Sequence, residues 1–244
     1  MKDKIKPNLK IVGDNSASGG HYNDVRIIGN SVVDGDIECI KFKSVGDTKI
    51  NGSIKADHLR TVGSVSIEGS VQSDSIAITG DLKSTGDVRA GDLKITGGIS
   101  TNGTIKGDNI RLTGYVAAKK NCEGESFRSD GQLSIGGLLN ADEIDIRAYG
   151  QSGINEIGGD KIVVRKGRGI LRVIKSALAA AGFCSEMLEV DSIEGDEIRL
   201  EYTKAKVVRG KDVIIDNGCN IELVEYKDSL RVRHGSTVKQ KRKI

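Results

Sequence analysis

The sequence predicts an all-β protein, a β-solenoid whose simplest form is a parallel β-helix of triangular coils. Three observations lead there: a glycine ladder with a fixed period, apolar columns that keep step with it, and a shortage of aromatic residues. Gly29, Gly46, Gly63, Gly80, Gly97, Gly114 and Gly131 stand seventeen residues apart. A second series follows six residues later at Gly35, Gly52, Gly69, Gly86 and Gly103, skips at Lys120 and returns at Gly137. Glycine makes up 32 of the 244 residues, too few for two such ladders to arise without an underlying repeat. A constant period of this length marks a stacked-repeat architecture. Aromatic residues amount to 3% and Trp is absent. The interior must therefore be filled by Ile, Val, Leu and small side chains rather than by rings.

Each repeat divides into three stretches of six, six and five residues, each opening on an inward-pointing side chain. The position four before each first glycine holds Val25, Phe42, Leu59, Ile76, Leu93, Ile110, Phe127 and then Ile144. Six residues on come Ser31, Thr48, Val65, Leu82, Ile99, Val116 and Leu133, and six further Ile37, Ile54, Val71, Val88, Ile105, Cys122 and Leu139. Within the stretches apolar and polar residues alternate, as in "VSIEG" and "IAITG", which is strand periodicity. Glycine suits the corners because it reaches positive φ without a Cβ clash. Stacked at about 4.8 Å, the coils hydrogen-bond to one another and bury a continuous ladder. No coil can bury its own apolar side chains, so stability comes from neighbours. Leu9, Ile11 and Gly13 fit the same columns one coil earlier.

The domain organisation follows. Residues 1–8 are a polar leader and 9–167 the regular β-helix, with strict periodicity lost after about residue 143. Over 168–189, "RGILRVIKSALAAAGFCSEML" sets Ile170, Val173, Ile174 and Leu178 at helical spacing, with Gly182 as a stop. This predicts a short inserted helix packed on the solenoid, or one that docks on a membrane or a partner. Strand-like text resumes over 190–232, where "GDEIRLEY" echoes "ADEIDIRAYG" and "GDKIVVRKG", so further coils follow. Residues 233–244 form a basic tail.

Charge is uneven. Residues 1–160 hold 19 basic and 22 acidic side chains; residues 161–244 hold 18 and 12. The basic half suits anionic lipid or the acidic half of a neighbouring molecule. Nucleic acid is an unlikely partner because no aromatics interleave with the basic residues. Cys39, Cys122, Cys184 and Cys219 are far apart and form no CxxC pair, which reads as buried small hydrophobes in a reducing cytosol. No signal-peptide core and no run of membrane-spanning length occurs, so a cytoplasmic protein is expected.

Catalytic motifs are lacking. His21, His58 and His234 are isolated, and there is no HExxH, G-x-S-x-G or phosphate-binding loop. Asp47, Asp81 and Asp87 follow corner glycines, which is turn chemistry. A hexapeptide-type acyltransferase or γ-type carbonic anhydrase would need strict six-residue sides and a catalytic or ligating His, whereas the third side here is five. The expectation is no enzyme, no cofactor, no metal and no small-molecule substrate.

The coils "FKSVGDTKINGSIKADH" and "LRTVGSVSIEGSVQSDS" resemble those of bactofilins, bacterial polymer-forming cytoskeletal proteins. The segment "VDSIEGDEIRLEYTKAKVVRGKDVIIDNGCNIELVEY" resembles the C-terminal extension of a longer Gram-positive subgroup. The resemblance implies a right-handed β-helix that assembles end to end into nonpolar filaments without nucleotide, often at the membrane. It implies a scaffold for cell shape, envelope or motility machinery, whose partners are itself and a membrane surface or envelope proteins. Short family members end where the regular coils end, so the helix and extra coils would cap one end or add a lateral surface.

Independently, the terminal coils of a solenoid expose unpaired backbone and apolar columns. The candidate polymer interface is Leu9, Ile11 and Val12 at one end and Leu230 and Val232 at the other. Ile11→Asp is expected to dissolve filaments while sparing the fold. The alternative is a non-polymeric β-helix adaptor for a division or envelope partner.

Overall fold

The computed structural model describes residues 6–167 and 187–244. Among them are fifteen strands and no helix. The chain divides into two compact units, Met1–Thr113 with Ala117–Lys120, and Gly114–Val116 with Asn121–Ile244.

Unit 1 is a parallel β-solenoid. Its strands are β1 (Leu9–Val12), β2 (Asn15–His21), β3 (Asp24–Ile28), β4 (Ser31–Val45), β5 (Thr48–Asn51), β6 (Ile54–Ile67), β7 (Val71–Ser84), β8 (Val88–Thr101) and most of β9 (Ile105–Ala118). The long strands run round corners, and each pairs in parallel with the same stretch one coil on. Thus β6 and β7 match Leu59↔Ile76, Gly63↔Gly80 and Val65↔Leu82, and β7 and β8 match Ile76↔Leu93 and Gly80↔Gly97. The seventeen-residue period is therefore the backbone register itself. All three columns anticipated from the sequence are buried, including Val25, Phe42, Leu59, Ile76, Leu93 and Ile110. Full burial of each such side chain contributes about 1.5–3 kcal/mol.

The two glycine series do different work. Gly29, Gly46, Gly63, Gly80 and Gly97 have φ between 111° and 131°, a region that disfavours side chains. Gly52, Gly69, Gly86 and Gly103 are not at positive φ. There a Cβ would instead strike the coil beneath, as at Gly52, 2.5 Å from the Gly35 carbonyl carbon. From Gly52 on, glycine is needed at the second corner for close approach, not for its φ; Gly35, at φ 105° with nothing nearer than 3.8 Å to its Cβ, is the exception.

Unit 2 is built the same way from β10 (Cys122–Ala148), β11 (Ser152–Lys166), β12 (Leu188–Leu200), β13 (Thr203–Ile215), β14 (Asn220–Val232) and β15 (Thr237–Lys243). Phe127, Leu133, Leu139 and Ile144 fill its interior as the columns require. Its coil length varies: β10 meets β11 as Ser134↔Gly153 and then Leu139↔Ile157, with a bulge between, and β12 meets β13 as Leu188↔Thr203. The echoing segments are true neighbours, since Ile144 pairs with Ile162 and Ile162 with Ile198.

Two expected boundaries are corrected. Residues 168–186, with Ile170, Val173, Ile174 and Leu178, lie outside the described residues, but Leu188 and Glu189 of the expected helix are strand, paired with Ser152 and Gly153. Leu188 is fully buried, which draws it into the solenoid. The expected basic tail is also strand over Thr237–Lys243, because its backbone pairs with Asn220–Tyr226 although its side chains are almost all exposed.

Gly80→Ala places a side chain at φ 123° and drives its Cβ into the Gly63 carbonyl oxygen. It should cost about 2 kcal/mol or more. Gly153→Ala, with nothing within 4 Å of its Cβ, should be close to neutral. Urea-denaturation midpoints of the two variants test this.

Candidate functional site

Beyond the second corner glycine runs a column of small acceptors. Asp36 Oδ1 accepts the Ser53 N–H at 2.7 Å, Ser53 Oγ the Ser70 N–H at 3.1 Å, and Asp87 Oδ1 the Thr104 N–H at 2.9 Å. Each closes a backbone donor that the bend would leave unpaired. Asp87 also pairs with Arg89 at 2.6 Å. Its role is structural, as turn chemistry suggests.

The expected polymer residues fall at two open edges. Among the described residues β1 pairs only with β3, and β15 only with β14. At the first edge Leu9 is half-buried, Ile11 is 5% exposed and Val12 is 56% exposed. Ile11 is thus already a core residue of the first coil, and Val12 belongs to the outer face. Leu230 and Val232 are half-buried in β14, paired with Val213 and Ile215 on one side, while β15 continues over Asn220–Tyr226 only.

The sequence reading missed a lateral face of unit 1. On the first side of each coil, residues alternate inward and outward. Lys10, Arg26, Lys43 and Arg60 form one outward column, matched residue on residue. Two positions on, Val12, Ile28, Val45 and Val62 form a second column in the same register. Val45 and Val62 are 51% and 44% exposed. The pattern ends at Ala77 and Thr79. No ion pair or side-chain hydrogen bond engages the four cations among the described residues. Like charges stacked in one column repel one another, which destabilises the sheet. The signal is present in the sequence as K-x-V, R-x-I, K-x-V and R-x-V at a spacing of sixteen and then seventeen residues, on outward positions that the inward apolar columns do not mark.

Unit 2 treats charge in the opposite way. β12 is acidic, β13 basic, β14 acidic and β15 basic on their outer faces, and the coils neutralise one another. Glu189 pairs with Lys204 at 3.4 Å, Asp191 with Lys206 at 2.8 Å and Asp196 with Lys211 at 2.5 Å. Glu225, almost wholly buried, lies between Arg209 and Arg242 at 2.8 and 2.9 Å. Asp216, also buried, lies between Arg199 and Arg233 at 2.6 and 2.8 Å. A shallow groove bounded by Glu189, Asp191, Lys204, Lys206 and Glu222 is lined by these same pairs, so its charges are already engaged.

Cys39, Cys122 and Cys219 are buried and free. Burial pushes the Cys39 thiol up to about 12 and the Cys219 thiol to about 11, and raises Cys122 further. His21 pairs with Glu38 at 3.1 Å, and His58 and His234 are exposed. Among the described residues no three His, Cys, Asp or Glu side chains gather to hold a metal, and no helix is long and apolar enough to cross a membrane.

Fold and surfaces together define a parallel β-solenoid protein with paired charges in one unit and an unpaired basic and apolar face in the other. Two proteins of Bacillus subtilis (strain 168), both named as uncharacterized, are similar to it. YhbF is 38% identical over 109 residues, which is 44% of this chain and 42% of YhbF. YhbE is 38% identical over 111 residues, 45% of this chain and 44% of YhbE. The matches span less than half the length of these relatives. No family model matches the chain, and no solved structure matches it.

Two outcomes are expected. Cys184→Ser protein should show no fast-reacting thiol toward a disulfide reagent at pH 8, and three after denaturation. The two arginines hold the Glu225 carboxyl below its usual range, with the Arg209 hydrogen bond the larger cause. A carboxylate depressed in the folded state contributes stability above its unfolded pKa of about 4.3, lost as pH falls through the folded value. Glu225→Gln should therefore lower the melting temperature at pH 7, and the gap from the parent should close in acid.

Proposed function

We propose that this protein is a structural scaffold that assembles end to end into filaments without nucleotide, as the resemblance to bactofilins suggests. The filaments would organise cell-shape, envelope or motility machinery at the cytoplasmic side of the membrane, and the solenoid would be right-handed. The observation that carries the reading is the pair of open edges at β1 and β15, each with a row of backbone donors and acceptors unpaired among the described residues. An unpaired edge is a template for another chain. A solenoid presents its whole cross-section there, so a second molecule can continue the coil without any rearrangement of the first. The half-buried Leu9 and Leu230 supply apolar side chains at these edges that a stacked neighbour would cover. The paired charges of unit 2 agree with a structural part.

Purified protein is expected to form filaments in negative-stain microscopy without nucleotide or metal. Ile11→Asp is not the right probe, because at 5% exposure it would place a carboxylate in the first coil's core. Leu9→Asp and Leu230→Asp load the edges instead. At least one should move the sedimenting polymer to monomer while the thermal transition persists. A monomer at every concentration, or filaments indifferent to both substitutions, would sink the reading.

A further inference from the structure

We propose that the lateral face of unit 1 is a docking site for an amphipathic α-helix of a partner protein, with an apolar stripe flanked by carboxylates on one side. The site does not depend on end-to-end assembly, since it lies on a side of the coil rather than at an edge.

The first argument is charge. The basic column has no counter-charge of its own, and the only carboxylate set among these rungs is Asp24, beside Lys41 in the adjoining outward column, Asp24↔Lys41↔His58. Lys41 adds a fifth cation. Like charges placed opposite one another destabilise a sheet, and unit 2 of the same chain avoids this by alternating sign from coil to coil. Where the chain stacks four cations instead, an anionic partner completes the arrangement.

The second argument is shape. Lys and Arg side chains stand well above a β-surface, whereas valine is short. Against a flat bilayer the flexible cations would engage the headgroups, and four short aliphatic side chains offer little to bury in the acyl region. The face also lacks the Trp, Phe or Leu with which interfacial binders enter a membrane. A helix, by contrast, is a cylinder about 10 Å wide. It can lie along the valine column with one flank against the standing cations. Its pitch of 5.4 Å is close to the coil spacing of about 4.8 Å, so one turn meets roughly one coil. The four coils span about 14 Å, or about ten helical residues.

The third argument is handedness of charge. Beyond the glycine corner that bounds the valine column lie Asp14, Asn30, Asp47 and Ser64, all exposed. The apolar column thus has cations on one side and a partly acidic row on the other. The complementary helix carries Glu on one flank of its Leu stripe and Lys on the other. A second copy could meet this face only when turned so that its cations lie over the acidic row, and self-association lost on the four Gln substitutions would overturn the proposal. The contact is small, which places it among weak, transient interactions.

The test uses a lactam-constrained helical peptide of about eighteen residues with a Leu stripe, Glu on one flank and Lys on the other. Its control mixes Glu and Lys on both flanks, leaving composition and net charge unchanged, because exchanging whole flanks is undone by reversing the peptide. Fluorescence anisotropy on the full chain should give binding at least tenfold tighter for the peptide with segregated flanks than for the mixed control. Combined Lys10→Gln, Arg26→Gln, Lys43→Gln and Arg60→Gln should abolish that preference, and so should Val45→Asp alone, with thermal melts confirming folded protein. Equal affinity for both peptides, no binding of either, or a preference surviving these substitutions would overturn the proposal. Binding to phosphatidylserine vesicles that the four Gln substitutions remove, without a peptide preference, would assign the face to a bilayer and overturn it as well.

Discussion

Everything in this structure follows from in-register hydrogen bonding between coils. Once the backbone of one coil pairs with the next, each residue's neighbour is set by position in the chain and not by chemistry. The sequence must then make every column tolerable as a column. The interior satisfies this easily, because Ile over Leu over Val loses nothing by repetition. Corners satisfy it only with glycine, since Gly63 sits on Gly80 and Gly80 on Gly97 with no room for a Cβ. Two glycine ladders are the direct imprint of that requirement.

Polar columns inside the coil are held by a second device. Ser44 and Thr48 are buried and hydrogen-bond to each other at 2.5 Å, Ser84 donates to the Gly69 carbonyl at 2.7 Å, and Thr101 donates to the Gly86 carbonyl. These hydroxyls sit where the chain bends and backbone carbonyls turn inward. A buried hydroxyl without a partner would cost about 1–3 kcal/mol. Where the bend supplies an acceptor, as at Ser84 and Thr101, hydroxyls can replace apolar side chains beside the corner without loosening the stack, whereas the buried Thr61 hydroxyl has no partner. The Asp, Ser and Asn acceptors outside the corner close the N–H groups that the same bend exposes.

How much of this could be read from the sequence depends on which way a residue faces. Inward positions were fully legible: Val25, Phe42, Leu59 and Ile76 are buried as the period demands. The period alone gave the register of Gly63 on Gly80. The second glycine series was located correctly, but its reason was not, because φ and close approach leave the same residue in the sequence. The terminal strand β15 looks like a tail in the sequence because TVKQKRK has no buried face to betray it; only backbone pairing makes it strand. The apolar face was visible as exposed valines only once inward and outward positions were separated.

Charge is where composition misleads most. By count, residues 1–160 carry an acidic excess and residues 161–244 a basic one, which points to the latter as the place for an anionic partner. Pairing reverses the conclusion. There the cations of β13 sit over the carboxylates of β12 at contact distance. In unit 1 the carboxylates other than Asp24 are distributed over other sides and corners of the coil, and one side keeps four cations stacked with no carboxylate in their column. A column of like charges is tolerated only because the core beneath it is strong, and each buried Ile or Leu outweighs the repulsion between two exposed cations. The solenoid can therefore carry an unbalanced face that a marginal fold could not. That surplus of core stability is what lets a repetitive scaffold hold a recognition surface on its flank.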